Sequence, residues 1–346
     1  MKAFRYYEQG KAGIEEMASP IPQPGEVLIR MRACGICATD IKTIRQGHPK
    51  IKPGSVLGHE ISGVIEAVNQ VDGWHPGDRV AAAPYAPCGE CDACRRGQYT
   101  LCDHLMDEGF IPGGFAEFVV IPPRIVRKGL FSIPDELPME HAALAEPLGC
   151  CLHGLEAMDI DPNDRLLILG DGPMGLLQAE AARALGVNQI VQTGMIPARL
   201  KRSAQVADVA IDASKEDFDE QLHKIYPDGA DKVMVSVGNA ALAETAFKYV
   251  RKGGTINLFA GLPRGTTLNI NPYPIHYDEV RLVGSFGLSP QHFHLALRLL
   301  AEEKVNVTGI ITGTVPIEGI LDAIQNVSEY RGIKTVVKFG EELPME

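Results

Sequence analysis

The sequence predicts an α/β protein in which a β-rich first part precedes a doubly wound parallel sheet. Three observations carry that reading. Between Glu26 and Val120 the chain runs in short β-rich stretches broken by glycine and proline. Beyond Glu140 strand and helix patterns alternate. The first of these alternations carries a G-x-G-x-x-G turn between its strand and its helix. At 346 residues the chain exceeds the size at which one core keeps growing, so two domains of ordinary size are expected.

In chain order, residues 27–32, 61–71, 79–83 and 117–121 read as strands of the first part. Residues 164–169 form a buried-strand run, and 176–185 have helical spacing with Gly186 as the stop. Further strands are expected at 189–193, 209–212, 232–237 and 255–259, with helical stretches between them, as a parallel sheet requires. A helix at 291–303 follows, then short strands and another helix. A last strand at 334–339 is placed to return to the first domain. The expected division is 1–150, 151–286 and a returning segment 287–346.

Hydrophobic residues make up 45% of the chain, enough to fill two cores. The formal net charge of -11 argues against a nucleic-acid or anionic-membrane partner, since either needs a basic footprint. Apolar runs fall short of a membrane span. Arg5 and Glu8 stand where a signal peptide would carry its apolar stretch, so a cytoplasmic protein is expected. In a reducing compartment eight clustered cysteines point to metal rather than to disulfides.

Cys88, Cys91, Cys94 and Cys102 are spaced C-x2-C-x2-C-x7-C, with Gly89 and Gly97 to permit tight turns. Four thiolates close a tetrahedron around zinc and leave no open position, which reads as a structural site. A second constellation is dispersed: Cys34-Gly-Ile-Cys37-Ala-Thr39-Asp40, Gly58-His59-Glu60 and Glu146-Pro147. One thiolate, one imidazole and a carboxylate from separate segments suit a catalytic zinc with room for substrate. Cys34 with Cys37 also fits a redox pair, or Cys34 a core position. His59-Glu60 lacks the second histidine of the helical protease motif.

Gly170, Gly172 and Gly175 follow a strand directly and open a helix, the context that a dinucleotide-binding turn demands. Pro173 and Met174 complete the turn, and Val237-Gly238 and Gly261-Leu262 end later strands where a nicotinamide would lie.

Taken together, Gly35-Ile-Cys37-Ala-Thr39-Asp40, Gly58-His59-Glu60, the four-cysteine loop, Gly113-Gly-Phe-Ala-Glu117, Glu146-Pro147 and Gly170-Asp-Gly172-Pro-Met-Gly175 resemble the zinc-containing medium-chain dehydrogenase/reductase family, in that order along nearly the whole chain. The resemblance implies a GroES-like β-rich catalytic domain with a Rossmann domain. It implies zinc ligation by Cys37, His59 and Glu146, the last as in sorbitol-dehydrogenase-like members, with Glu60 as a neighbour that exchanges with water. Thr39 would be the hydroxyl that relays the proton, and Asp40 the carboxylate that orients the histidine. Many members carry a relay histidine where this chain has Lys42, and His48 is out of register.

The expected activity is hydride transfer between a secondary alcohol (polyol, sugar alcohol, cyclitol or diol) or its ketone and NAD(P). The competing reading is a catalytically idle zinc- and nucleotide-binding regulatory protein. Family resemblance also implies a homo-oligomer, tetramer or dimer. Cys150 and Cys151 read as packed side chains, and His153 as a core or cleft residue. Gly194 stands where NAD-specific folds place an acid, and Arg199, with Lys201 and Arg202 near it, can meet a 2′-phosphate, so NADP is the expected cofactor.

Overall fold

The structure is a computed structural model that describes residues 1–340. Two compact units divide the chain. The first holds Met1–Gly149, Leu288–Glu303 and the chain from Ile311 onward, the second Cys150–Gly287 and Lys304–Ile310.

In the first unit β1 (Lys2–Glu8) and β2 (Lys11–Glu16) form an antiparallel hairpin. The main sheet follows with β3 (Glu26–Gly35), β4 (Glu60–Asn69), β5 (Arg79–Ala82), β6 (Phe118–Ile121) and β7 (Leu130–Ser132). β3 is its centre, antiparallel to both β4 and β6. Alternation places Val27, Ile29 and Met31 in one core with Ile61, Ile65 and Phe115. The β3–β4 register sets Gly35 opposite Glu60, and this pairing brings Cys37 and His59, just beyond the two paired ends, to one place.

The second unit is a six-stranded parallel sheet of β8 (Arg165–Leu169), β9 (Gln189–Gly194), β10 (Val209–Asp212), β11 (Ala230–Val235), β12 (Val250–Leu258) and β13 (Arg281–Gly284). Its order, β10-β9-β8-β11-β12-β13, reverses direction at β8, the switch point where such folds bind ligands. Central strands buried on both faces explain the unbroken apolar run Leu166-Leu-Ile-Leu169, each residue 0% exposed.

The chain then adds β14 (Ile311–Pro316) and β15 (Lys334–Lys338) to the first unit, β15 lying antiparallel to β3 with Val336 opposite Gly35. Unlike the rest of the return, Lys304–Ile310 groups with the second unit. Polar contacts join it there, with Val305, Val307 and Ile310 buried beside them: Arg202 donates to Asn306 O at 3.0 Å, Glu180 Oε2 accepts the Asn306 amide at 3.2 Å, and Arg202 pairs with Glu180. β1, β2, β7 and β13 lie outside the strands expected from sequence. They are short or charged, so their periodicity is weak.

Asp231 ties three strands of the second unit together. Its Oδ2 accepts the Arg165 amide and Nε, both at 2.8 Å, and its Oδ1 accepts Arg251 Nε. Burial opposes the carboxylate, but the hydrogen bonds from the two arginines outweigh it and hold the pKa down to about 2. With the folded pKa below an unfolded value of about 3.9, the stabilisation is present above pH ~4 and is lost as pH falls towards 2. Asp231→Asn should cost about 1–2 kcal/mol at pH 7 in denaturant melts and less at pH 3. An equal loss at both pH values would contradict this.

Candidate functional site

Cys37 is the N-cap of the helix Ala38–Gln46: its sulfur accepts the Thr39 amide at 3.5 Å, and Asp40 closes a capping box by accepting the Cys37 amide at 2.9 Å. The three atoms offered by Cys37 Sγ, a His59 ring nitrogen and a Glu60 carboxylate oxygen all lie within 4.8 Å of one another. The Thr39 hydroxyl stands 3.6 Å from Cys37 Sγ.

Glu146, expected as the third ligand, lies in the first turn of the helix Ala145–Glu156 and is 7% exposed. Its charge acts on both His59 and Lys334, and Glu60 completes the convergent trio. Glu60 opens β4 immediately after His59, so the strand itself delivers it. Asp40 also differs from expectation. Its Oδ1 is 3.8 Å from His59 Nδ1, too far for a hydrogen bond, and accepts the Gly58 amide at 3.3 Å. Asp40 therefore bonds the backbone on either side of the trio and faces the imidazole at ion-pair distance. Lys42 is exposed, and His48 Nδ1 accepts the Lys50 amide at 3.2 Å.

Lys334, on β15, has no counterpart in the sequence reading. It is 4% exposed, with Nζ donating to Glu60 Oε1 at 2.6 Å and to Ile36 O at 2.9 Å. Burial works against its charge, yet Glu60 and Cys37 hold its pKa above the ordinary value. The imidazole of His59 behaves alike: burial opposes protonation, but Cys37, Asp40 and Glu146 raise its pKa well above the usual range. Both shifts report a strongly negative field.

The donor set fits a divalent cation of the zinc type. Thiolate, imidazole and carboxylate converge, and Glu60 Oε2 is buried without a hydrogen-bond partner. Zinc also fits the second cluster. The sulfurs of Cys88, Cys91, Cys94 and Cys102 lie within 4.8 Å of one another, and no cysteine is in a disulfide. Backbone amides point at them: those of Cys88 and His104 at Cys102 Sγ (3.3 and 3.4 Å), that of Gly89 at Cys94 Sγ (3.4 Å) and that of Cys91 at Cys88 Sγ (3.3 Å). The amides of Glu90 and Cys91 lower the pKa of Cys88, while burial raises that of Cys94.

In the second unit the helix Pro173–Ala184 starts at Gly172 with Pro173 at its first position and no side-chain cap, so its first amides stay open to a phosphate. A Cβ on Gly172 would meet open space, whereas one on Gly175 would overlap Gly170 O. Gly172 thus leaves room for a pyrophosphate, and Gly175 lets helix and strand close up. Met174 O accepts Cys151 Sγ at 3.7 Å, which packs that cysteine as expected. His153 Nδ1 is 3.0 Å from Gly287 O. Val237 is exposed and abuts Gly170, and a Cβ on Gly238 would come within 2.7 Å of Gly261 O, so these predicted residues do converge. At the end of β9 the Asp171 carboxylate fills the space that a Cβ on Gly194 would take, and Arg199 is buried at 6% exposure.

Elemental analysis should find two zinc ions per chain. Cys37→Ser should remove one of them with little change in Tm, whereas Cys94→Ser should lower Tm by about 5 °C or more. One ion per chain in fully active protein would show that one cluster is misassigned.

Residues 23–135 match the model of the alcohol dehydrogenase GroES-like domain, and residues 173–302 that of the zinc-binding dehydrogenases. The chain is 31% identical over 339 residues to sorbitol dehydrogenase of Bacillus subtilis (strain 168), covering 96% of this chain and 94% of that one. It is 31% identical over 326 residues to L-galactonate-5-dehydrogenase of Escherichia coli (strain K12), covering 92% and 94%. A solved structure described as a zinc-binding dehydrogenase of Sinorhizobium meliloti 1021, bound to NADP, superposes with a TM-score of 0.89 at 30% identity, covering 97% and 98%. A GroES-like unit that gathers Cys37, His59 and Glu60, joined to a Rossmann unit, accords with these relatives over their whole length, and the chain belongs to the zinc-containing medium-chain dehydrogenase/reductase family.

Proposed function

We propose that the chain is a polyol dehydrogenase, oxidising a secondary hydroxyl of a polyhydroxylated substrate (sugar alcohol, cyclitol, vicinal diol or sugar acid) with a nicotinamide dinucleotide, or reducing the corresponding ketone. The observation that carries this is the convergence of Cys37, His59 and Glu60 with a hydroxyl, Thr39, beside the sulfur. Relatives acting on sorbitol and on galactonate support the substrate class.

When bound, zinc lowers the pKa of an alcohol and the nicotinamide accepts its hydride. The chain's own residues do the rest. Cys37, His59 and Glu60, with Glu146 close by, would hold the metal. Lys334 keeps Glu60 Oε1 engaged, which leaves Oε2 as the carboxylate oxygen free to turn to a cation. The Thr39 hydroxyl accepts the substrate's proton and hands its own onward. Because Lys42 is exposed and His48 holds the Lys50 amide, the onward step is to solvent. NADP(H) is the dinucleotide that the sequence favours, and the Asp171 carboxylate at the end of β9 is the observation that favours NAD(H).

No helix of the described residues is long and apolar enough to cross a membrane. Eight cysteines free of disulfides fit a reducing, cytoplasmic setting. We further propose a homo-oligomer, tetramer or dimer. Among the described residues β13 pairs only with β12 and so leaves an open edge, with Phe286, Tyr273 and Tyr277 more than half exposed near it in sequence.

Zinc-loaded protein screened against a panel of polyols and cyclitols should reduce the dinucleotide with at least one of them. Thr39→Val should cost about 100-fold in kcat while zinc content is kept. Silence of the panel with intact zinc and bound dinucleotide would remove the polyol reading. Light scattering at micromolar concentration should return a multiple of the chain mass, and a monomer mass would refute the oligomer.

A further inference from the structure

The β8–β9 register sets Leu169 beside Thr193, and the Gly170 amide donates to Thr193 O at 3.0 Å. Asp171, the next residue, therefore leaves the glycine turn at the C-terminal end of β9. Its side chain folds over that end: Oδ2 accepts the amides of Met195 and of Ile196, each at 3.0 Å. Asp171 is 7% exposed. Gly194 is what admits it. A Cβ on Gly194 would overlap Asp171 Oδ2, Cγ and Cβ, so the carboxyl group occupies the space through which a side chain at 194 would leave the strand.

Doubly wound folds that take NAD place an acid at the end of the second strand, where it accepts from the ribose hydroxyls and repels a 2′-phosphate. Here that strand ends on a residue with no side chain, and a carboxylate reaches the same place from the turn between the first strand and its helix. We propose that Asp171 is the cofactor-selecting residue and that it favours NAD(H) over NADP(H). Both backbone bonds fall on Oδ2, and no described residue donates to Oδ1. One oxygen anchors the group to the chain, and the other remains to accept from ribose. The same geometry forbids the familiar arrangement. Gly194→Asp, which would restore an acid to the strand, drives its own Cβ into Asp171.

This inference rests on the dinucleotide reading of the second unit. It is tested by binding, without substrate, through the fluorescence of NADH and NADPH on zinc-loaded protein. Wild type should hold NADH at least tenfold more tightly than NADPH. Asp171→Asn keeps the size of the side chain and an acceptor for the two amides but removes the charge. It should shrink that ratio about tenfold, since a hydrogen bond to a charged group contributes that much. Gly194→Asp alone should lower Tm without raising the preference for NADH, and Asp171→Gly combined with Gly194→Asp should recover it. A merely structural cap would move Tm and leave the ratio alone. A ratio in Asp171→Asn within twofold of wild type, or a wild type that prefers NADPH, overturns the assignment. Failure of wild type to bind either dinucleotide overturns the assignment and the dinucleotide reading together.

Discussion

A charge withdrawn from water needs charge of the opposite sign beside it, and the first unit is organised by that requirement. Asp40, Glu60 and Glu146 are 2%, 0% and 7% exposed, and Cys37 adds a sulfur. Lys334 is the buried cation set among them. Asp40 is partly compensated by the amides of Cys37 and Gly58. Glu60 still has Oε2 buried without a hydrogen-bond partner, so an excess of acid is left at the point where Cys37, His59 and Glu60 converge. This excess is an electrostatic reason for the site to take a divalent ion. It also explains why Gly35 has no side chain, since a Cβ there would overlap Glu60 Oε2.

The second unit meets the same requirement differently. Asp231 is held by two arginines from neighbouring strands, whereas Asp171 is held by backbone amides alone. The first arrangement neutralises charge and joins strands. The second fixes a charge without cancelling it, which suits a group that reads a ligand. Open amides on the helix Pro173–Ala184 and a carboxylate on Asp171 thus offer opposite polarities a short way apart, as a molecule with a phosphate end and a hydroxyl-bearing ring requires.

Much of this was legible in the sequence because it is local. The four-cysteine spacing, the glycine turn and the run Leu166-Leu-Ile-Leu169 each state their structure within a few residues. Cys37 with His59 was legible through family resemblance, and the Gly35–Glu60 register supplies the physical reason. Lys334 could not be read, since its role arises from pairing between β15 and β3 across almost the full chain, and an isolated lysine in a strand-like run looks like a solvated charge. Asp171 was not legible for another reason: it fills a variable position of the glycine motif, and its interaction with Gly194 is visible only in three dimensions. Glu146 and Glu60 show the limit of motif reading. Glu60 follows His59 directly on β4 and converges with it, whereas Glu146 lies on the helix Ala145–Glu156 and acts on His59 through its charge.

The composition of the first unit has a consequence for how the protein is made. Its central strand β3 and its metal-binding residues emerge early, but β15 follows the entire second unit along the chain. During synthesis, at about 5–20 residues per second, the acids around Cys37 and His59 exist for many seconds before Lys334 can join them. Through that interval the Ala33–Gly35 end of β3 lacks the partner that β15 later supplies, and Glu60 lacks its ammonium. Closure of the first unit therefore waits on synthesis of the whole second unit.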